Sequence, residues 1–167
     1  MMMLPPSEPT PAGLQQPLTE MHGTRADKIR TVLLATDLTP VSEAATRQAI
    51  EMATSLGARL LVVNVIDQGE RGHVSRLSAS TRIDQQRAAR ELPLLAIIDR
   101  ARSRGIDAAF LLWTGEPGQG IVAAAEAEGA DLVIVGTRGL DRAGRFLLGS
   151  VSDYVVYHST IPVMVAR

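Results

Sequence analysis

From residue 29 onward, short and nearly uninterrupted apolar runs alternate with longer segments whose apolar residues recur every three or four positions. The runs cover 31–36 (TVLLAT), 60–66 (LLVVNVI), 108–113, 132–135 and 162–166. A continuous apolar run, rather than strict alternation, marks a strand buried on both faces, as in a parallel sheet. The helical segments carry their own punctuation. After the first strand, Ser42 is a plausible N-cap, Ala45, Ala49, Met52, Ala53 and Leu56 fall at helical spacing, and Gly57 ends the pattern. A second helix is predicted over 81–103, with Pro93 expected to kink or divide it and Gly105 closing it. A third spans 118–128, with Ile121, Val122, Ala124 and Ala125 facing inward before Gly129, and a fourth covers 150–158. Five strands alternating with four helical segments predict an α/β fold: a five-stranded, mostly parallel sheet with right-handed crossovers and helices on both faces.

Two stretches fall outside this rhythm. Residues 1–27 carry Pro5, Pro6, Pro9, Pro11 and Pro17 among polar residues, the composition of a flexible tail. Residues 67–80 are polar, with Gly69, Gly72 and three serines, and follow a strand's carboxyl end; a long loop on the ligand side is expected, able to act as a lid.

Composition narrows the function classes. A chain of 167 residues, 46% hydrophobic and 21% charged, suits one domain with one sizeable core. Only 3% of residues are aromatic, so the core is aliphatic and there is little material for stacking nucleic-acid bases. A formal net charge of -1 removes the broad basic surface of a phosphate-backbone binder, so no nucleic-acid partner is expected. There is no cysteine, which excludes disulfides and thiol chemistry. Residues 1–4 are apolar but run straight into Pro5 and Pro6, unlike a secretory signal, and no run approaches the roughly 20 residues of a membrane span. A cytoplasmic protein without a membrane partner is expected.

The candidate chemistry sits after the fourth strand. Gly136-Thr137-Arg138-Gly139, then nine residues, then Gly149-Ser150 make a glycine-punctuated segment leading into a helix. Glycine lets backbone N–H groups approach a bulky anion, and the first amides of a helix point outward unpaired, so the segment reads as a phosphate cradle. Residues 136–150 hold three arginines against Asp141, three minus one or +2, on a chain of net charge -1. The alternative is that the glycines only make turns, Ser150 only caps a helix and the arginines are solvated. Asp37, where the first strand ends, can accept from a ribose hydroxyl or hold a metal-bound water, or else cap the turn toward 39–41. Ser150 and Ser152 can cap the last helix or bond a phosphate oxygen. Asp153 suits the helix dipole but would repel a nearby phosphate, so it is expected to point away. His22, His73 and His158 lack metal-ligand spacing. The loop contains no carboxylate but Asp141 to serve as a base, which argues against fast hydrolysis of a bound phosphate ester or anhydride.

Over residues 28–167 the chain resembles the universal stress protein family, in its ATP-binding branch. Gly136, Gly139, Gly149 and Ser150 match that branch's G-x2-G-x9-G-[S/T] motif, and 31–37 with Thr39 and Ser42-Glu43-Ala44, 62–67, Gly115-Glu116-Pro117 and 130–136 are similar to other family segments. The resemblance implies a single domain over 28–167 behind a 1–27 tail, with a Rossmann-like fold of the adenine nucleotide alpha hydrolase type. It implies ATP across the carboxyl ends of the strands, held by Asp37, Val65, Gly136, Gly139, Gly149, Ser150, Val151 and Ser152, with Val65 touching adenine through its backbone. Mg or Mn would bind through the phosphates. It also implies a homodimer paired through strand 162–166, against the alternative of an edge blunted by Pro162 and Arg167. Leu38 departs from the family, where a small Gly often follows the acidic residue. The expected role is a nucleotide-dependent switch or sensor in stress response; a dimeric scaffold with an empty cradle and a slow ATPase or phosphotransferase remain open.

Overall fold

The computed structural model describes residues 28–67, 79–137 and 149–167. Strand β1 (Thr31–Ala35) leads through a single 3-10 turn (Pro40–Ser42) into α1 (Glu43–Leu56), followed by β2 (Arg59–Asp67) and α2 (Ala79–Arg102). The second half adds β3 (Ala108–Gly115), α3 (Pro117–Ala127), β4 (Leu132–Gly136), α4 (Ser150–His158) and β5 (Val163–Ala166). Every strand pairing is parallel, in the order β3-β2-β1-β4-β5. The five-stranded α/β prediction therefore holds. The 1–27 tail and most of the 67–80 stretch lie outside the described residues; Asp67 itself completes β2.

The unbroken apolar runs are explained by two cores, one on each face. Val32, Leu34, Leu60, Val62 and Ile134 pack with α1 and α2, while Leu33, Ala35, Val63, Val133 and Val135 pack with α3 and α4. Successive strand residues thus alternate between cores rather than between core and solvent, and Val32, Leu33 and Leu34 are all fully buried. Each such side chain contributes about 1.5–3 kcal/mol by leaving water.

Local signals set the helix ends. Gly57, at φ 60°, closes α1, and its N–H reaches the carbonyls of Ala53 and Thr54. Glu116 caps α3, its carboxylate accepting from the amides of Gly118 and Gln119 at 3.1 and 2.7 Å, ahead of Pro117 in the first turn. Pro93 does not divide α2, which runs as one helix from Ala79 to Arg102. Its ring lies on the exposed side, while Leu94, Ile97, Ile98 and Ala101 are buried and hold the helix on the sheet. Inside α3, Ile121, Ala124 and Ala125 are buried as predicted, whereas Val122 is only partly so.

Two tight joints position the second half. Gly118 of α3 lies so close to α4 that a Cβ there would sit 2.7 Å from Cδ1 of Tyr154. Between α4 and β5, Ser159 knots the connection: its N–H donates to the Val155 carbonyl, its hydroxyl donates to the Ile161 carbonyl at 2.8 Å, and the Ile161 N–H donates back to that hydroxyl at 3.1 Å.

Gly118→Ala should cost about 1–3 kcal/mol in urea unfolding by forcing α3 off Tyr154. Part of that cost should vanish in a Tyr154→Ala background, which removes the ring atoms but keeps Cβ at 3.0 Å; equal costs in both backgrounds would show that the ring is not what the glycine avoids.

Candidate functional site

The order β3-β2-β1-β4-β5 places β1 and β4 side by side, yet the chain leaves β1 toward α1 on one face and β4 toward α4 on the other. A crevice opens where neighbouring strands part in this way, beyond their carboxyl ends. A cleft of about 650 Å³ lies there. Its floor is made by Ala35, Thr36 and Asp37 at and beyond the end of β1, Val63 to Val65 in β2, and Val135, Gly136 and Thr137 at the end of β4.

The two sides differ in chemistry. Toward α3 and α4 the lining is mostly apolar: Val65, Pro117, Ile121, Val135 and Val151, with Gly149 and Ser152 at the start of α4. Toward α1 and α2 it is polar: Thr36, Thr39, Ser42, Asn64 and Arg90. The polar side is internally wired. Ser42 Oγ donates to the Thr39 carbonyl at 2.8 Å, which commits its proton, so the 2.9 Å contact between Thr36 and Ser42 is donated by Thr36 Oγ1. Leu38 N–H donates to Thr36 Oγ1 at 3.1 Å. Asn64, only 3% exposed, donates from Nδ2 to the Thr36 carbonyl at 2.8 Å. Its Oδ1 is buried and has no hydrogen-bond partner in the structure.

Asp37 Oδ1 accepts from both the amide and the hydroxyl of Thr39, at 3.0 and 2.7 Å. This is the turn-capping role weighed from the sequence, and it sets the carboxylate at the cleft; Oδ2 takes no bond from the described residues. The same turn forces Leu38 to φ 63°, the only non-glycine residue at positive φ among those described. The side chain nevertheless packs against the α1/α2 core.

Helix α4 starts differently from the prediction for Ser150. Gly149 is the N-cap and no side chain caps the helix, so its leading amides have no partner within the helix. Ser150 is the first helical residue, exposed and outside the cleft lining. Ser152 is buried and donates its hydroxyl to the Gly149 carbonyl at 2.9 Å. Asp153 is exposed, also outside the lining. A Cβ on Gly136 would point to Ala45 of α1, 3.5 Å from its Cβ, rather than into the cleft. That is an ordinary contact, so the packing against α1 does not itself require glycine at 136. Of the residues anticipated, Asp37, Val65, Gly136, Gly149, Val151 and Ser152 meet at one cleft. Gly139 lies outside the described residues, as do Arg138, Asp141, Arg142, Arg145, His22 and His73. His158, at the far end of α4, stacks on Tyr154 at 3.8 Å between ring centroids, away from the cleft.

Comparison with known proteins accounts for this architecture. The model of the Universal stress protein family matches residues 28–167. The chain belongs to the universal stress protein family. A curated relative from Thermus aquaticus, a universal stress protein, is 34% identical over 143 residues, covering 83% of this chain and 98% of its own. UspA from Lactobacillus plantarum superposes with a TM-score of 0.72 at 23% identity, covering 84% of this chain and 99% of its own. A universal stress protein solved in complex with cAMP matches with a TM-score of 0.63 at 27% identity, covering 84% and 98% of the two chains.

Within this universal stress protein domain, Thr36, Asn64 and Arg90 are the cleft residues that sequence reasoning passed over. The signal for Asn64 was present, as the one amide in the run LLVVNVI. Arg90 gave none, because its place depends on where α2 crosses the sheet edge.

The left-handed turn at Leu38 reverses the usual order of substitutions. Leu38→Gly should be more stable than Leu38→Ala by about 1 kcal/mol, because both lose the same packing but only alanine keeps the strain. A thermal melt ranking alanine above glycine would show that position 38 is not under backbone strain.

Proposed function

We propose that the cleft binds an adenine nucleotide, ATP in the first instance, and that its occupancy acts as a switch changing the surface shown to a partner in stress response. The observation that carries this reading is that Gly136, Gly149 and the uncapped start of α4 open onto the same cleft as Asp37 and Val65. Unpaired helix amides favour a phosphate group. The apolar side formed by Val65, Pro117, Ile121 and Val151 suits an adenine ring, with the Val65 backbone at its edge. Asp37 Oδ2 suits a ribose hydroxyl. Ser152 can act toward a phosphate only through its backbone N–H, since its hydroxyl proton is already given to Gly149. Ser150 would contribute an amide, and Gly139 is assigned from the motif alone. That a 27% identical universal stress protein was solved in complex with cAMP supports an adenine nucleotide as the ligand class.

A divalent ion, Mg or Mn, would ride on the phosphate oxygens with water completing its shell, neutralising charge there. A water of that shell is the alternative partner for Asp37 Oδ2 to the ribose hydroxyl. The reading is one of binding rather than rapid turnover.

The partner surface includes a second copy of the chain. β5 is an edge strand. Pro162 and Ala166 accept from Val133 and Thr137 of β4, so by the two-residue period the N–H groups of Val163 and Val165 face the open edge. We propose that this edge forms a homodimer.

Calorimetric titration of MgATP into the nucleotide-stripped protein should show binding that a Gly149→Val variant loses by tenfold or more, since the added side chain blocks approach to the α4 amides. Absence of binding by the parent would overturn the nucleotide switch in favour of a scaffold. In sedimentation, Val165→Pro should shift the protein from dimer to monomer while circular dichroism stays unchanged; an unaltered dimer would place the interface elsewhere.

A further inference from the structure

Helix α2 has one continuous inward stripe whose chemistry changes along its length. Leu94, Ile97, Ile98 and Ala101 are buried against the sheet. One turn earlier, at the same helical spacing, comes Arg90, and then Gln86, Ile83 and Arg82; all four are half-buried, while Thr81, Asp84, Gln85, Arg87, Ala88 and Ala89 between them are exposed. The stripe thus turns from aliphatic to cationic where the helix reaches the carboxyl edge of the sheet, and Arg90 lines the cleft.

These guanidinium groups are under-used. Arg90 Nη1 donates to the Gln86 carbonyl of its own helix at 3.1 Å, and Arg82 Nε is buried without a hydrogen-bond partner. Two other arginines find carboxylates, Arg100 with Glu43 at 2.7 Å and Arg59 with Asp107 at 3.7 Å; among the described residues no ion pair holds Arg82 or Arg90. A half-buried guanidinium with most of its five donors unspent is built for an anion arriving from the cleft, and phosphate oxygens match its fork. The carboxylates on the same cleft, Asp37 and Asp67, stand on the strand ends and oppose an anion there.

We propose that Arg90 forms a second phosphate-binding wall across the cleft from Gly136 and Gly149, so that the protein grades its ligands by the number of phosphoryl groups. This rests on the adenine-nucleotide reading and extends it: the glycine side holds phosphate through amides, and α2 supplies the cation that a longer phosphoryl chain reaches. ATP is then preferred over AMP, and AMP over adenosine.

The test is calorimetry on the full chain, stripped of nucleotide, with adenosine, AMP, ATP and inorganic pyrophosphate, in the parent and in Arg90→Gln and Arg90→Lys. The expected result is that Arg90→Gln lowers the ATP-to-AMP affinity ratio about tenfold or more while adenosine changes less than twofold, with Arg90→Lys keeping part of the preference. An unchanged ratio in Arg90→Gln, or an equal loss across adenosine, AMP and ATP, would overturn the wall and leave nucleotide binding standing. Pyrophosphate binding that Arg90→Gln abolishes, in a parent that takes no adenine compound, would support the wall as a site for free phosphates and overturn the nucleotide reading instead. A parent that binds neither nucleotide nor pyrophosphate would overturn both.

Discussion

Everything at the cleft depends on β1 being paired in parallel on both sides, with β2 and with β4, while its successor helix leaves for one face and that of β4 for the other. The pairing is pinned at the opposite end. Asp131 accepts from the amides of Arg30 and Thr31 at 2.8 and 2.9 Å, and its own N–H donates to the Thr31 carbonyl. One carboxylate thereby ties the starts of β1 and β4 together. With the register set there, both strands reach the far edge level, and Asp37 and Gly136 emerge beside each other into one crevice.

Close approach by the helices then gives the crevice its walls. Two glycines let α3 settle: Gly118 against Tyr154 of α4, and Gly120 where a Cβ would stand 3.0 Å from Cγ1 of Val65 and 3.1 Å from Cδ1 of Trp113. Larger residues would lift α3 off β2 and β3 and widen the apolar side. The opposite wall is held by hydrogen bonds rather than by close packing. Thr36, Ser42 and Asn64 link the end of β1 to the start of α1 and to β2. Leaving Asn64 Oδ1 unbonded costs about 1–3 kcal/mol, a local expense at the site set against the two aliphatic cores.

The fold was legible because its signals are local and repeated. Apolar runs buried on both faces, glycine stops at Gly57 and Gly129, and the break into α4 all follow from short stretches of chain. The boundaries that shifted were those set by tertiary contact. β3 extends to Gly115 because its partner β2 extends to Asp67. α2 survives Pro93 because Leu94 and its neighbours are anchored in the core. The site divides in the same way. Asp37, Val65, Gly136 and Gly149 stand at strand or helix ends that periodicity locates. Arg90 reaches the cleft only through the path of a helix whose crossing no sequence period encodes, and the capping role passed from Ser150 to Gly149 because the backbone is still extended at 149.

The seventeen residues from Ser150 to the last residue of β5 connect the cleft to the open sheet edge with very little slack. α4 begins at the cleft, and the hydrogen bonds of Ser159 tie the far end of that helix to the short connection into β5. Under the proposed nucleotide binding and homodimer, the two would be reciprocal: a ligand that strengthens subunit pairing by some factor is itself bound more tightly by the dimer by that same factor. Apparent affinity would then rise with the amount of protein present, and the chain's own abundance would become one of the inputs to such a switch.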